Sequence, residues 1–143
     1  MILKAIILYC MNKIKRLICE YDHPVLYLHI DGDICTGDLI NFSYSMTRRL
    51  SKISGEFYLF CDFSNANFNL LEGLAEKVFQ PFFTDVSQKK LICGSILISE
   101  SMMEIFPSAI KFEKIKLFEN DYTAALSWLS LTNVSLGAIS ANN

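Results

Sequence analysis

The stretch EFYLFCDFSNANFNLLEGLAEKVFQ, residues 56–80, decides the fold predicted for this chain. Its opening part, EFYLFCDF, is almost continuously apolar, which is typical of a strand buried on both faces of a sheet. Residues 70–80 then repeat apolar side chains at helical spacing, so they predict a helix. Pro81 follows at once, and we expect it to end or kink that helix. A buried strand that leads into a helix is typical of an α/β protein.

The remainder of the chain repeats this alternation of strands and helices. Further strands are predicted at 15–21, 25–30, 90–99 and 114–118, and further helices at 38–53, 99–106 and 121–131. A turn at Asp22-His23-Pro24 separates the first two strands, which can therefore form an antiparallel pair at one side of the sheet. The predicted fold is α/β, a mostly parallel sheet of about five strands with an antiparallel edge pair and about four flanking helices.

Length and composition predict one domain with a single core. The chain has 143 residues, of which 52% are hydrophobic and 13% aromatic, so it is not a disordered chain. We predict an N-terminal extension, disordered or helical, over residues 1–14, the domain over 15–131 and a tail over 132–143. The N-terminal apolar run is too short to span a bilayer and lacks the cleavage pattern of a secretory signal. Membrane contact is therefore expected to be peripheral at most.

Charge and cysteine content exclude several classes of function. The net charge of −2 gives no electrostatic reason to expect nucleic-acid binding. The five cysteines are widely spaced, odd in number and contain no CxxC pair, so no zinc site is predicted. A reduced, cytoplasmic setting is the simplest prediction. No cofactor is predicted, and the apolar content is compatible with a homodimer.

The stretch HIDGDICTGD, residues 29–38, raises the question of whether its aspartates perform chemistry. Asp31 and Asp33 form the DxD of a haloacid-dehalogenase-like phosphatase, in which one carboxylate attacks and the other acts as acid and base. However, Cys35 stands where that pattern has Thr or Val. Cys35 and Phe42 also break the spacing of an EF-hand calcium loop. A small metal-dependent hydrolase or phosphatase that uses Asp31 and Asp33 is therefore the alternative function.

The favoured interpretation of this stretch is structural. Asp31-Gly32-Asp33 is expected to form a solvated bend at the end of a strand, and Thr36 or Asp38 is expected to cap the following helix. A nucleophilic pair of Cys35 with His29 stays open, although a lone strand histidine is more often structural. No nucleophile elbow, Walker A loop or GxGxxG motif occurs, so no catalytic residue is predicted.

The polar segment between the buried strand and the following helix is the candidate binding site. In parallel sheets the carboxyl ends of the strands are where ligands and partners dock. Ser64, Asn65, Asn67 and Asn69 are predicted to present a recognition loop, and a plain solvated loop is an equal alternative.

These residues carry a resemblance to a known family. The run LFCDFSNANFNLLEGL, residues 59–74, resembles the phosphorylation segment of STAS domains, the sulphate-transporter and anti-sigma-factor-antagonist family. Asp62 and Ser64 match its opening Asp and Ser, and Gly73 matches its closing Gly. The runs GDICTGD and IKLFENDYTAALSWL resemble two further family motifs, the second typical of the SpoIIAA-like branch. The resemblance covers most of residues 15–131.

The resemblance implies a STAS-like α/β fold and a regulatory module that binds protein partners or apolar, lipid-like ligands rather than catalysing a reaction. The family's phosphoacceptor Asp-Ser-Ser falls on Leu70, Leu71 and Glu72, none of which carries a hydroxyl, so the serine-phosphorylation switch is not carried over. Glu72 is hypothesised to act as a permanent charge near a helix N-terminus. The predicted binding site consists of Asp62, Ser64, Asn65, Asn67, Asn69 and Glu72.

An apolar pocket beneath the helices is a further expectation. Its predicted lining consists of Leu74, Val78, Phe82, Phe83, Met102 and Phe106, and the favoured alternative is that such side chains fill the core. Phe82 and Phe83 are expected to be exposed, because Pro81 is expected to break the helix at that point.

Overall fold

A computed structural model describes residues 15–103, residue 106 and residues 112–130. Its strands are β1 (Arg16–Asp22), β2 (Val25–Cys35), β3 (Phe57–Asn69), β4 (Leu91–Ile98) and β5 (Ile115–Glu119), and its α-helices are α1 (Thr36–Ser51), α2 (Leu74–Gln88) and α3 (Tyr122–Ser130). A 3-10 turn spans Glu100–Met102. The predicted α/β fold is confirmed, with three α-helices and this short turn in place of four helices. The predicted extension over 1–14 and tail over 132–143 lie outside the described residues.

The strands form one sheet in the order β1-β2-β3-β4-β5. β1 and β2 are antiparallel, as predicted for the edge pair, and every later neighbouring pair is parallel. The carboxyl ends of β2, β3, β4 and β5 therefore meet at the same end of the sheet, where ligands of parallel sheets usually bind.

The two faces of the sheet carry different side chains, because successive residues of a strand point to opposite faces. Along β3, Phe57, Leu59, Cys61 and Phe63 join a large apolar core that also contains the buried faces of α1 and α2. Tyr58 and Phe60 point the other way, into a smaller cluster with Leu129 of α3. We call these the α1/α2 face and the α3 face.

Helix α2 continues through Pro81, so the prediction that Pro81 ends the helix is wrong. Phe79 lies before the proline and Phe82 and Phe83 after it, and these three aromatic side chains are at most 5% exposed. Their burial on one face stabilises the helical path across a residue that donates no backbone hydrogen bond. The expected exposure of Phe82 and Phe83 is wrong for the same reason.

Strand β2 continues through Asp31-Gly32-Asp33, so the predicted bend at the strand end is also wrong. Pairing with β3 extends to Cys35 opposite Asn69, and the register shifts between His29 and Asp31. Gly32 has φ +91°, a conformation that glycine adopts more readily than other residues. Pairing with β3 thus keeps residues 31–33 extended, although their local sequence favours a turn.

The same extension changes the predicted recognition loop. Asn65, Asn67 and Asn69 lie within β3 rather than in a loop. All three are exposed, so their amides lie along the surface of the last part of the strand. The predicted helix at 99–106 is reduced to the 3-10 turn within the described residues, which include neither residue 104 nor residue 105.

Candidate functional site

Polar side chains of β2 and β3 meet on the α3 face near the carboxyl end of the sheet. His29 Nε2 lies 2.6 Å from Asp31 Oδ2, and His29 Nδ1 lies 2.8 Å from the Tyr27 hydroxyl. Across to β3, His29 Nδ1 lies 3.6 Å from Asp62 Oδ2. The Ser64 hydroxyl donates a 2.7 Å hydrogen bond to Asp62 Oδ1. We call these five residues the polar column.

The electrostatics of the polar column favour charged His29 and Asp62. The Asp62 carboxylate raises the pKa of His29, partial burial opposes this rise, and the bonded Asp31 carboxylate adds to it. Burial raises the pKa of Asp62, but the interaction with His29 and the hydrogen bonds from Ser64 outweigh burial, so this pKa lies below its ordinary value. Burial, followed by the charge of Asp62, raises the pKa of Tyr27, which keeps its proton. Protonation of His29 would thus place a cation between the carboxylates of Asp31 and Asp62.

These contacts determine what chemistry the column can perform. Both ring nitrogens of His29 are engaged, one by Asp31 and one by Tyr27. The Ser64 hydroxyl donates to Asp62 rather than to the imidazole, so Ser64 and His29 do not form the Ser–His pair that activates a serine nucleophile. One carboxylate oxygen, Asp31 Oδ1, is buried without a hydrogen-bond partner. The arrangement joins β2 to β3 as an ion-pair network.

The two aspartates of the alternative phosphatase site have different partners. Asp31 is half-buried and bonds His29, whereas Asp33 Oδ1 accepts a 2.8 Å hydrogen bond from the Asn67 amide. The expectation that both acids are merely solvated is therefore wrong. Among the residues that the structure describes, no group of three or more His, Cys, Asp or Glu side chains is arranged to hold a metal ion.

The junction of β2 and α1, residues 35–38, is closed by hydrogen bonds, and we call it the α1 connection. Asp38 Oδ2 accepts hydrogen bonds from the Cys35 backbone N–H at 3.0 Å and from its thiol at 3.1 Å. Lys15 Nζ donates to the same oxygen at 2.8 Å. Asp38 thus caps α1, which was one of the two predicted alternatives, Thr36 and Asp38. The hydrogen bond from Lys15, followed by those from Cys35, lowers the pKa of Asp38 to about 2.

The other predicted cap, Thr36, reaches the neighbouring segment instead. Its Oγ1 accepts a 3.2 Å hydrogen bond from the backbone N–H of Leu71. Cys35 bonds Asp38 and His29 bonds Asp31 and Tyr27, so the Cys35–His29 pair left open by the sequence is not formed.

The segment between β3 and α2, residues 70–73, is open, and we call it the α2 connection. Gly73 has φ +77° and makes no side-chain cap for α2. Leu71 is 70% exposed. A hollow of about 410 Å³ lies beside it, lined by Phe68, Leu70, Leu71, Glu72, Gly73, Ala75 and Glu76. The α2 connection therefore presents apolar side chains bordered by two acids.

The residues predicted to line an apolar pocket lie in or against the core. Phe82, Phe83, Met102 and Phe106 are buried members of the large cluster, and Leu74 and Val78 are half-buried. Phe106 packs against Phe63 and Phe79, with ring centroids 6.2 and 5.3 Å apart respectively. These rings occupy the interior between the sheet and α2.

The structure places the predicted binding residues in three groups. Asp62 and Ser64 belong to the polar column, and Glu72 lies in the α2 connection. Asn65, Asn67 and Asn69 are exposed in the last part of β3, where Asn67 bonds Asp33. Sequence reasoning missed His29 as the partner of Asp62. The alternation of Tyr27, His29 and Asp31 along β2 could have indicated that these three residues of the column share one face of the sheet.

Comparisons with known proteins support the fold. Neither the protein-family models nor the curated proteins gave a match to this chain. One similar solved structure is that of an uncharacterised protein of the DUF3478 family from Shewanella loihica PV-4, described as having a SpoIIAA-like fold. The two share 16% sequence identity with a TM-score of 0.51, over 80% of this chain and 93% of the other. This chain has a SpoIIAA-like fold.

The fold implied by the STAS resemblance is thereby confirmed. At this level of identity the likeness concerns the fold and carries no activity, ligand or partner. Within the part of the chain described, no helix is long and apolar enough to cross a membrane.

Proposed function

We propose that this chain is a non-catalytic, STAS-like regulatory module that binds a protein partner through the α2 connection. The observation that carries the proposal is the exposure of Leu71, at 70%, beside a hollow of about 410 Å³ at the carboxyl end of the parallel strands. Leu71 is not an isolated apolar residue, because the partly buried Phe68 and Leu70 line the same hollow. A contiguous apolar patch rimmed by polar residues is typical of an interaction site.

The charges around Leu71 define the chemistry of the partner. Glu72 and Glu76 border the hollow, and both are exposed. A partner surface with an apolar centre and basic residues at its rim complements this arrangement. Glu72 also lies just before α2, where a negative charge is favoured by the helix dipole.

The polar column supports a non-catalytic role. Ser64 donates to Asp62, and the imidazole of His29 is engaged on both sides, so no serine is paired with a histidine base in this column. Both side chains instead contribute to a network that joins β2 to β3 near their middle, and these two strands lead into the two connections.

The packing of the core favours a protein partner over an apolar ligand. The aromatic side chains expected to line a pocket are in contact with each other, as in Phe82 and Phe83, whose ring centroids lie 5.5 Å apart. The most exposed large apolar side chain among the described residues, Leu71, lies instead at the α2 connection. Since residues 70–72 carry no hydroxyl, we infer that partner binding there is controlled by availability of the partner rather than by phosphorylation of this segment.

Site-specific photocrosslinking would test the proposal. A photoreactive residue at position 71 should crosslink one protein in the native cell, and the same residue at position 44 should not. Tyr44 is a matched control because it is an exposed apolar residue of α1, 66% exposed. With the purified partner, Leu71→Asp should weaken binding about tenfold or more, since a central apolar contact is replaced by a charge. Tyr44→Asp should leave the affinity unchanged.

Two results would contradict this function. Equal crosslinking at positions 71 and 44, or equal affinities of the two variants, would exclude the α2 connection as the binding surface. A stoichiometric lipid that copurifies with the protein in native mass spectrometry would favour an apolar ligand instead.

A further inference from the structure

A cleft of about 430 Å³ lies between strand β1 and helix α1. Its floor includes Leu17 and the buried Cys19 and Phe42, and its rim carries Arg48, Arg49 and Lys52. These three cations lie at the C-terminal end of α1, where positive charge suits the helix dipole. The cleft thus combines an apolar floor with a basic rim.

The basic rim lacks internal neutralisation. Arg48, Arg49 and Lys52 are exposed, and none of them forms an ion pair within the described part of the chain. The cleft contains a single acid, Glu20, against the three cations. Its local charge is therefore positive although the whole chain carries a net charge of −2.

The wall of the cleft is an edge strand. Within residues 15–103, 106 and 112–130, β1 pairs with β2 and with no other strand. Its seven residues contain no proline, so the outward backbone N–H and C=O groups of alternate residues are able to pair with another extended chain.

We propose that this cleft binds an extended acidic segment of a protein partner, which adds to β1 as a further strand and places its carboxylates beside Arg48, Arg49 and Lys52. Strand addition provides affinity through main-chain hydrogen bonds, and the side-chain environment provides specificity. Here the basic rim selects acidic side chains at alternate positions of the added strand, and the residues between them point to the opposite face of the sheet. The proposal is independent of partner binding at the α2 connection.

A second copy of this chain fits the same edge less well. Two β1 strands paired antiparallel about Cys19 would oppose Arg16 with Asp22, which is favourable. The two-fold axis of such a pair would also place both α1 helices on the same side of the joined sheet, with their basic rims adjacent. Because like charges in proximity disfavour association, the acidic segment is the better occupant.

Fluorescence anisotropy with a defined peptide would test the proposal. The probe is a labelled seven-residue peptide of alternating glutamate and valine, as long as β1. It should bind, with amide shift changes concentrated in Arg16–Asp22, and a lysine–valine peptide of equal length should not. The double variant Arg48→Glu, Arg49→Glu should weaken binding about tenfold or more. The control double variant Lys77→Glu, Lys90→Glu makes the same charge change at exposed positions outside the cleft and should retain the affinity.

A backbone-methylated probe separates strand addition from simple charge attraction. Methylation of alternate amides along one edge of the glutamate–valine peptide removes donors but keeps every carboxylate, so binding should be lost. Equal binding of the methylated peptide, or of the control and cleft variants, would overturn the proposal. A stable dimer in sedimentation that excludes the peptide would overturn it as well, because a second copy would then occupy the edge.

Discussion

The α1 and α2 connections perform the same topological task, leading from a parallel strand into a helix, but they differ in how they end. The α1 connection passes directly from Cys35 into the helix, and Asp38 accepts both the Cys35 N–H and the Lys15 ammonium. The α2 connection has four intervening residues, 70–73, and Gly73 provides no side-chain cap. One connection is closed by its own polar groups, and the other leaves Leu71 70% exposed.

This difference shows how neighbouring connections in one sheet can divide structural and binding roles. Capping residues satisfy the free N–H groups of a helix and fix where it begins. Helix α2 lacks such a side chain, so its position depends on the packing of its buried face. Loops held by a rigid scaffold, rather than the scaffold itself, most often carry binding residues.

The largest expected effect comes from the packing that holds α2. Phe79 is fully buried, and its ring lies 5.3 Å from those of Phe63 and Phe106, centroid to centroid. Phe79→Ala should lower the free energy of unfolding by about 3–5 kcal/mol, because it removes apolar contacts and leaves a cavity. Urea unfolding would measure this loss. A loss below about 1 kcal/mol would contradict the dependence of α2 on core packing.

His29 fastens the two strands that lead into the connections. His29→Gln should lower the free energy of unfolding by about 1–3 kcal/mol near pH 6, because it leaves Asp31 and Asp62 without the charged partner between them. Asp62, followed by Asp31, raises the folded-state pKa of His29 despite partial burial. The protonated imidazole is therefore the stabilising form.

This effect should depend on pH in a defined direction. The stabilisation is complete below the ordinary histidine pKa of 6.5 and is lost as the pH rises through the higher folded-state value. Urea unfolding of both proteins between about pH 5.5 and about pH 9 should show their difference shrinking as pH rises. A difference that grows with pH would contradict a protonated His29 in the folded protein.

Gly73 tests the backbone of the open connection. Gly73→Ala should lower the free energy of unfolding by about 1–2 kcal/mol, because a Cβ disfavours the left-handed conformation at φ +77°. Gly37 is the matched control in the closed connection, since an added Cβ at either position meets no atom within 4 Å. Gly37 lies in α1, so Gly37→Ala should stabilise by about 0.5–1 kcal/mol. Thermal unfolding of both variants measures the contrast, and equal signs would contradict it.

The sequence predicts the strands and helices because their signals are local. Alternation or continuous apolar character predicts β1 to β5. Apolar residues at helical spacing predict α1, and the structure buries Leu39, Phe42, Met46 and Leu50. The failures occur where a distant partner overrides a local rule. Asp31-Gly32-Asp33 favours a turn, but pairing with β3 extends the strand, and Pro81 favours a helix end, but core burial continues α2.

The candidate site shows the same contrast between local signals and contacts with distant residues. The sequence predicts a polar loop after the buried strand and a helix from residue 70, whereas β3 extends to Asn69 and α2 begins only at Leu74. The open α2 connection was therefore not predicted. The partners of the polar residues were not predicted either, because the approach of His29 to Asp62 depends on the register between β2 and β3. The hydrogen bond from Leu71 to Thr36 likewise joins residues that are 35 positions apart.

Asp38 tests the cap of the closed connection. Asp38→Asn should lower the free energy of unfolding near pH 7 by about 0.5–1 kcal/mol, because it removes a negative charge from the N-terminal turn of α1. The hydrogen bond from Lys15, followed by those from Cys35, lowers the pKa of Asp38 from 3.8 to about 2, so this stabilisation is present above pH 3.8 and is lost as the pH falls through 2. Unfolding of both proteins from neutral to acid pH should show their difference disappear below that value. Lys15→Gln should reproduce part of the loss, and a pH-independent difference would contradict the ionic cap.

The smallest effect on stability is expected at the link between the two connections. Thr36→Val removes the acceptor for the Leu71 N–H while keeping the side-chain shape, at a cost of about 0.5–1 kcal/mol. Thr36→Val should have a clearer effect on local opening: hydrogen exchange of the Leu71 amide should become faster when this bond is lost. Thr84→Val is the control, since the Thr84 hydroxyl donates to Gln80 within its own helix, and it should leave exchange at Leu71 unchanged. If exchange at Leu71 does not respond to Thr36→Val, the closed connection does not position the open one, and the exposure of Leu71 must be set within residues 70–73 themselves.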